Sequence, residues 1–449
     1  MGTKNSFENM SVQRSVLVNA VPSIVSMLVT LIYNIADTFF IGQTGDEMQV
    51  AAVSLTTPIF LLFMAFGILY GIGGTSIISR ALGDNNKDLA RSASTFCFWA
   101  SGVTGIICAL CIMVGMTSIL NWIGVGENTE VYARTYLSYI VWSAPFVIIS
   151  TAFSNIIRAE GKSKEAMNGL LLGTILNIIL DPLFILTFGF GIKGAALASV
   201  IGNVIATIYY IRLLSKSEME LSISIHYFKE KWKTIKSVFA IGIPASLNVV
   251  LMNISNIILN ICLVAYGDIT VAAMGIALKI NMIVVSLQIG LGQGIQPLLG
   301  YCYGAKKWKR FKDILRFSTR LGILIGVLLT AICWYASDSL VHFFIDSLGI
   351  QEYGTRFVRM LLLSGPIIGV LFVYINALQA VGAAKHSLIL SISRQGFIFI
   401  PCLILLNKLF QLDGISIAQP VADVLSCLLA IGLFFQTEKH INRKSIGVK

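Results

Sequence analysis

Charged side chains are scarce in this 449-residue sequence, at 12%, while hydrophobic residues reach 56%. That balance excludes a soluble domain of this size and places the chain in a bilayer. A nucleotide-binding loop of the G-x-x-x-x-G-K-[ST] type is missing, which argues against an ATP-driven pump and leaves an ion gradient as the energy source. No nucleophile or metal constellation stands out either, so the chain is expected to be no enzyme and to need no cofactor. The eight cysteines (Cys97, Cys108, Cys111, Cys262, Cys302, Cys333, Cys402, Cys427) fall in apolar stretches without ligand spacing. They read as small hydrophobes and not as a disulfide or zinc framework. A cleavable signal peptide is not visible, because the polar start runs straight into a full-length apolar stretch. The opening Met1-Gly-Thr-Lys-Asn-Ser fits a myristoylation pattern, but so short a match arises easily by chance and a many-span protein needs no lipid anchor.

What is present is a series of long apolar runs. A helix needs roughly 20 such residues to cross the hydrocarbon core, and twelve stretches are that long or nearly so: 15–43, 51–79, 92–119, 135–157, 166–192, 194–211, 237–267, 269–305, 321–337, 360–384, 386–407 and 414–437. Backbone groups in lipid must be satisfied within their own segment, so these read as helices and not as barrel strands. The even number puts both termini on one side. The 33 Lys and Arg, which give a formal charge of +11, fall overwhelmingly in one set of loops, with Lys306, Lys307, Lys309, Arg310 and Lys312 in a single one. Only Lys193, Lys408, Arg134, Arg356 and Arg359 fall on the opposite side. Both termini are therefore expected in the cytoplasm, on a multi-pass protein of the cell membrane. Topology and attraction to anionic lipid account for the charge, so no nucleic-acid partner is expected.

The same landmarks appear twice, at a separation that stays almost constant along the chain. Pro22 and Asn34 recur as Pro244 and Asn256, and Pro145 and Asn155 recur as Pro366 and Asn376. A tandem duplication predicts an all-α membrane protein of twelve transmembrane helices in two six-helix lobes, related by a pseudo-twofold axis along the membrane normal. The expected boundaries are an N-terminal lobe at 1–214, a cytoplasmic linker at 215–236, a C-terminal lobe at 237–437 and a cytoplasmic tail at 438–449. A cavity between the lobes, opening to each side in turn, is the natural machine for such a plan. Pro22, Pro58, Pro145, Pro244, Pro297 and Pro366 are expected to kink their helices, whether to hinge or simply to shape packing.

Only Asp37, Asp181, Lys279, Arg394 and Asp423 lie well inside the spans, where a charge costs a few kcal/mol unless paired or wet. Asn34 lies one turn before Asp37, and Asn177 one turn before Asp181, so each carboxylate projects beside an amide. Two such helices could form an oxygen-lined pocket. Burial favours the protonated form of a carboxylate, and two carboxylates with amide carbonyls also suit a small cation such as Na+; the residues leave H+ and Na+ both open. Asp37 faces Leu259 in the second repeat, which assigns this chemistry to the first lobe. Lys279 and Arg394 could pair with Asp423 or line a cavity that favours an anionic group, with pairing the weightier reading. His386, at a span end, reads as a solvated boundary residue.

Together these residues resemble the multidrug and toxic compound extrusion (MATE) transporters. The resemblance runs from about 14 to 437 through Pro22 with Ala36-Asp37-Thr38-Phe39-Phe40-Ile41-Gly42, Ser79-Arg-Ala-Leu-Gly-Asp, Asn155 through Arg158-Ala-Glu-Gly, Asn177 through Asp181-Pro, Gly194-Ala-Ala-Leu-Ala-Ser, Gly294-Ile-Gln-Pro-Leu-Leu-Gly-Tyr-Cys-Tyr-Gly-Ala and Gln419-Pro-Val-Ala-Asp. The length and the loop after the eighth span look most similar to the bacterial MepA-like and DinF-like branch. The resemblance implies export of bulky, often cationic and aromatic drug-like compounds in exchange for H+ or Na+. It also implies a cation-coupling site built from Asp37, Asn177 and Asp181, joined by Asn155 and by Ser199, where relatives often carry Thr. Another branch keeps acids in the seventh and tenth helices, and this chain has none in 237–267 or 360–384. Tyr33, Tyr139, Met27, Met64, Met252, Met282 and Gln288 could offer soft or aromatic surface to a substrate, although such residues are more often packing. A monomer is expected. The alternative is a flippase or exporter of lipid-linked or anionic molecules that uses Lys279 and Arg394.

Overall fold

Apolar stretches of this length satisfy their backbone as helices, and the computed structural model, which describes residues 5–216, 219–228, 232–345 and 347–446, is helical throughout with no strand among the described residues. The first series comprises α1 (Val12–Gly42), α2 (Glu47–Gly83), α3 (Lys87–Val114), the short α4 (Met116–Ile123), α5 (Glu127–Ile140), α6 (Ala144–Ala159), α7 (Ser163–Pro182) and α8 (Ile192–Leu214). The second comprises α9 (Trp232–Val264), α10 (Asp268–Gly304), α11 (Trp308–Tyr335), α12 (Ser337–Phe344), α13 (Leu348–Leu361), α14 (Gly365–Ala380), α15 (Ala384–Ile392) and α16 (Ile400–Ile446). From α2 to α6 and from α10 to α14, every helix starts and stops at one and the same offset from its mate. Side chains define some of the starts: Asp46 accepts the Met48 N–H at 3.0 Å ahead of α2, and Asn86 accepts the Leu89 N–H at 3.0 Å ahead of α3, each satisfying a donor that the helix leaves orphaned.

Among the described residues, eleven continuous helical runs are long and apolar enough to span a membrane, and the last of them covers Ala384–Lys439. At 1.5 Å per residue that run would extend about 80 Å, far more than one bilayer crossing. Gln411 divides it, with φ 53° and ψ −129° inside an otherwise helical stretch. Gly191, just before α8, holds φ 53° and ψ −130°, so the same turn separates the last two spans of each repeat. The twelve apolar stretches thus become twelve helical legs.

Pro145 and Pro366 do not kink helices. A 3₁₀ turn interrupts the chain at Val141–Ser143 and again at Leu362–Ser364, and each proline enters the first turn of the helix that follows. There its missing N–H has no partner to lose. Pro22, Pro58, Pro244 and Pro297 do lie inside helices.

Contacts divide the chain inside α1 and α9 and not at the linker. Of the described residues, those in 25–242 make one unit, and those in 5–24 together with those from 243 onward make the other. Glycine makes this division possible. In the second unit a Cβ on Gly294 of α10 would press on Ala20 Cα and on the Asn19 carbonyl of α1, and in the first a Cβ on its repeat mate Gly73 would strike the Val238 carbonyl of α9. Backbones approach at these points as only glycine allows.

The polar linker is partly an ordered strap on the first unit. Met219 and Leu221 are buried. Buried Glu160, just beyond α6, accepts the backbone N–H of Glu220 at 2.9 Å and of Leu221 at 3.4 Å and pairs with Lys162 at 3.3 Å. Burial pushes its carboxyl above the usual range, while those three donors pull it back. Thr95 donates to the Ser222 carbonyl and the Trp99 indole N–H to the Ile223 carbonyl, both at 3.1 Å. In the second unit the residues ahead of α1 are tied down in a similar way: Arg310 donates to the carbonyls of Phe7 and Met10 and to Ser15 Oγ, each at 2.8 Å.

Candidate functional site

α1, α2, α5 and α8 enclose a cavity of about 250 Å³ within the first unit, lined by Tyr33, Asn34, Asp37, Ser54, Thr57, Met64, Tyr136 and Ser199 together with apolar residues of α1 and α2. Asn34 and Asp37 reach it from one face of α1, as their spacing requires. Ser199 is the hub. Its hydroxyl lies 3.3 Å from Tyr33 Oη and accepts the Asn177 amide at 3.2 Å, while its carbonyl accepts the Asn203 amide at 2.9 Å.

Behind Ser199, one turn along α7 from Asn177, Asp181 is fully buried. Neither carboxylate oxygen of Asp181, nor Oδ1 of Asn177, finds a hydrogen-bond partner among the described residues. An ionised carboxylate without donors is strongly disfavoured in so dry a place. A proton or a bound cation relieves that penalty, so this cluster of oxygens can hold either.

Asn155 takes a different position from its neighbours in the expected site. Its amide donates to the Thr151 carbonyl at 3.0 Å, its Oδ1 accepts Arg158 Nη1 at 3.0 Å, and it packs where a Cβ on Gly71 of α2 would meet it; it does not line the cavity. Tyr139 also lies outside the lining, which Tyr136, one turn earlier on α5, joins instead. Sequence reasoning missed Tyr136, Ser54 and Thr57. The only available signal was that each sits on a helix face that must look somewhere polar.

The residues expected to offer cavity surface in the second lobe separate into two kinds. Met252, Met282 and Lys279 are exposed. Gln288 is fully buried and donates to the Gly322 carbonyl at 2.9 Å, so it joins α10 to α11 and is not free to meet a substrate. Arg394 is buried as well, against expectation for a cavity residue. It pairs with buried Asp423 at 3.4 Å and lies 5.0 Å over the Phe372 ring. Asp423 also accepts from Ser364 at 3.2 Å and Gln419 at 3.1 Å. A π-helical stretch, Ser393–Phe399, presents Arg394; its repeat mate is Gly173, where a Cβ would meet the Gly202 carbonyl. One repeat closes this helix pair on glycine and the other on an ion pair. His386 pairs with Thr437 at 2.7 Å.

Two repeats of apolar helices, one of which carries a secluded carboxylate site, define a multi-pass membrane transporter. The MatE family model matches twice, at residues 22–183 and 244–405, once on each repeat. The chain belongs to the MatE family, a family of transporters and not of enzymes. It is 31% identical over 436 residues to multidrug export protein MepA of Staphylococcus haemolyticus, covering 97% of this chain and 96% of that one. To MepA of Staphylococcus aureus strain NCTC 8325 it is 31% identical over 426 residues, covering 95% and 94%. Among solved structures, MATE in the straight conformation aligns with a TM-score of 0.92 at 22% identity over 99% of both chains. A MOP superfamily transporter from Pyrococcus furiosus aligns at 0.90 and 22% identity over 98% of both.

Proposed function

We propose that this chain exports bulky, often cationic and aromatic drug-like molecules from the cell by alternating access, in exchange for H+ or Na+ bound in the first unit. One observation carries the reading. Asp181 is buried with both oxygens unpartnered among the described residues, and Ser199 links its neighbour Asn177 to the cavity that Asp37 lines. The second repeat cannot reproduce this arrangement, because Leu259 and Cys402 stand at the positions of Asp37 and Asp181. Asp37, Asn34, Asn177, Asp181 and Ser199 form the coupling site, and Asn155 supports it from the packing between α2 and α6. Names of relatives support the substrate class, since MepA is a multidrug export protein. The skew of Lys and Arg supports cytoplasmic termini. A complete coupling site within one unit supports a monomer.

The alternative, export of anionic or lipid-linked molecules, loses one of its two cations because Asp423 neutralises Arg394. Dye efflux from proteoliposomes, with Na+ and pH gradients imposed separately, tests the proposal. Stimulation by one gradient names the ion, and Asp37→Asn should abolish that stimulation. Gradient-driven efflux at the wild-type rate in Asp37→Asn refutes the coupling site.

A further inference from the structure

Both repeats carry a marker of the membrane–water interface. α4 and α12 are short helices, and they present a mated pair of side chains, Trp122 and Phe343, which are 88% and 84% exposed. Val114 and Tyr335, another mated pair, close the preceding helices at 91% and 93% exposed. Tryptophan and tyrosine left this open at helix ends, as Trp122 and Tyr335 are, belong at the headgroup level. The end of α11 and the start of α13 therefore lie at that level.

From there one stripe of the chain runs inward through Glu352, Arg356, Arg359 and Leu363, at the alternating three- and four-residue steps that keep side chains on one helix face. These residues line a groove of about 720 Å³ with Trp334, Asp338 and Met360. Carboxylates hold the two arginines in place: Arg356 on Asp413 at 2.5 Å and Arg359 on Asp338 at 3.0 Å, with a second bond from Arg359 Nε to Ser337 Oγ at 2.9 Å. Glu352 is exposed and makes no ion pair among the described residues. At 1.5 Å per residue the stripe descends about 16 Å from its acid to its leucine. Acid, guanidinium, guanidinium and alkyl group thus follow one another along α13 and the turn after it, in the order that complements ammonium, phosphate and acyl chain.

We propose that this groove binds an aminophospholipid headgroup of the phosphatidylethanolamine class. The phosphate takes the N–H groups that Asp413, Asp338 and Ser337 leave open among the described residues, Nε and Nη1 of Arg356 and Nη1 of Arg359. The primary ammonium donates to Glu352, and the acyl chains follow Met360 and Leu363. The site belongs to the second unit alone, because the mates of the four stripe residues are Val131, Thr135, Ser138 and Trp142. It is independent of the coupling site in the first unit.

Native mass spectrometry of the full-length protein, titrated with phosphatidylethanolamine, phosphatidylcholine and phosphatidylglycerol of matched chains, tests the assignment. Wild-type protein should retain phosphatidylethanolamine about tenfold more tightly than phosphatidylglycerol, the discrimination that one charge-assisted hydrogen bond provides. Glu352→Gln, an exposed substitution that leaves the fold intact, should erase that preference, and Arg356→Gln should weaken all three lipids. Glu130→Gln, in the other unit, should change nothing. Equal retention of the three lipids by the wild type, a preference for phosphatidylglycerol, or an unchanged preference in Glu352→Gln overturns the proposal.

Discussion

Replacing Gln411 with glycine should stabilise the protein. At φ 53° and ψ −129°, an L-residue other than glycine carries strain of roughly 1–3 kcal/mol. The side chain offers nothing in return, being exposed and without a hydrogen bond among the described residues. Glycine would lose roughly 0.5–1 kcal/mol through its more flexible unfolded chain. The net gain is about 1 kcal/mol, or about 2–4 °C in melting temperature for a unit of about 200 residues. The reverse change is available at the matched turn. Gly191→Ala would take on the same strain, and its new Cβ would stand 2.7 Å from Gln49 Oε1, the atom that accepts the Ile192 N–H at 2.8 Å. That variant should melt several degrees lower. Fluorescence-detected size exclusion after heating in detergent, at one fixed heating rate so that any irreversible step weighs equally on every variant, reads both changes. A Gln411→Gly protein that melts no higher than wild type, beside an unchanged Gly191→Ala, would refute the strain argument.

Other outcomes follow from packing and charge. Gly294→Ala and Gly73→Ala should each lower stability by roughly 1–3 kcal/mol or more, because the added methyl meets backbone and cannot be accommodated by a side-chain shift; equal melting of wild type and both variants would show that the backbones do not approach so closely. Asp423→Asn should be among the most damaging single changes in the second unit, at roughly 3–5 kcal/mol, since it strands Arg394 in a dry site. The double change Arg394→Met with Asp423→Leu should recover most of that loss, and a double variant as unstable as the single one would show that the pair does more than neutralise itself.

Much of this architecture was legible because bilayers and duplication are both periodic constraints. Apolar length located the helical legs, and Pro22 with Pro244 and Asn155 with Asn376 located the repeat. What stayed hidden depends on local exchange of partners, which composition does not record. The 3₁₀ turn at Val141–Ser143 lies inside a continuous apolar run, and Pro145 marks a start there where it could equally have marked a kink. Gln411 carries no turn signal at all, and only its glycine mate at 191 shows what the backbone is doing. At the candidate site, the intramembrane rarity of Asp37 and Asp181 and the shared face of Asn34 drew attention to α1 and α7. Thr57 and Ser54 escaped because short hydroxyl side chains in helices so often bond their own backbone, as both do here. Gln288 misled because a polar residue in a span must be satisfied, and a neighbouring helix can do that as well as a ligand can; Arg394 makes the pair with Asp423 that was the weightier reading of its sequence.

The divided allegiance of α1 and α9 bears on how such a chain could have arisen. The residues of α1 up to Ile24 fold with the second repeat, and those of α9 up to Gly242 fold with the first. A single ancestral repeat would therefore have lacked part of its own bundle and would have completed it by lending its leading segment to another copy, in the manner of an exchanged dimer. Fusion of two copies would have made that exchange permanent within one polypeptide. Cutting the chain between the strap and α9 should accordingly yield two fragments that are each incomplete, and that become stable only when both are inserted into the same membrane.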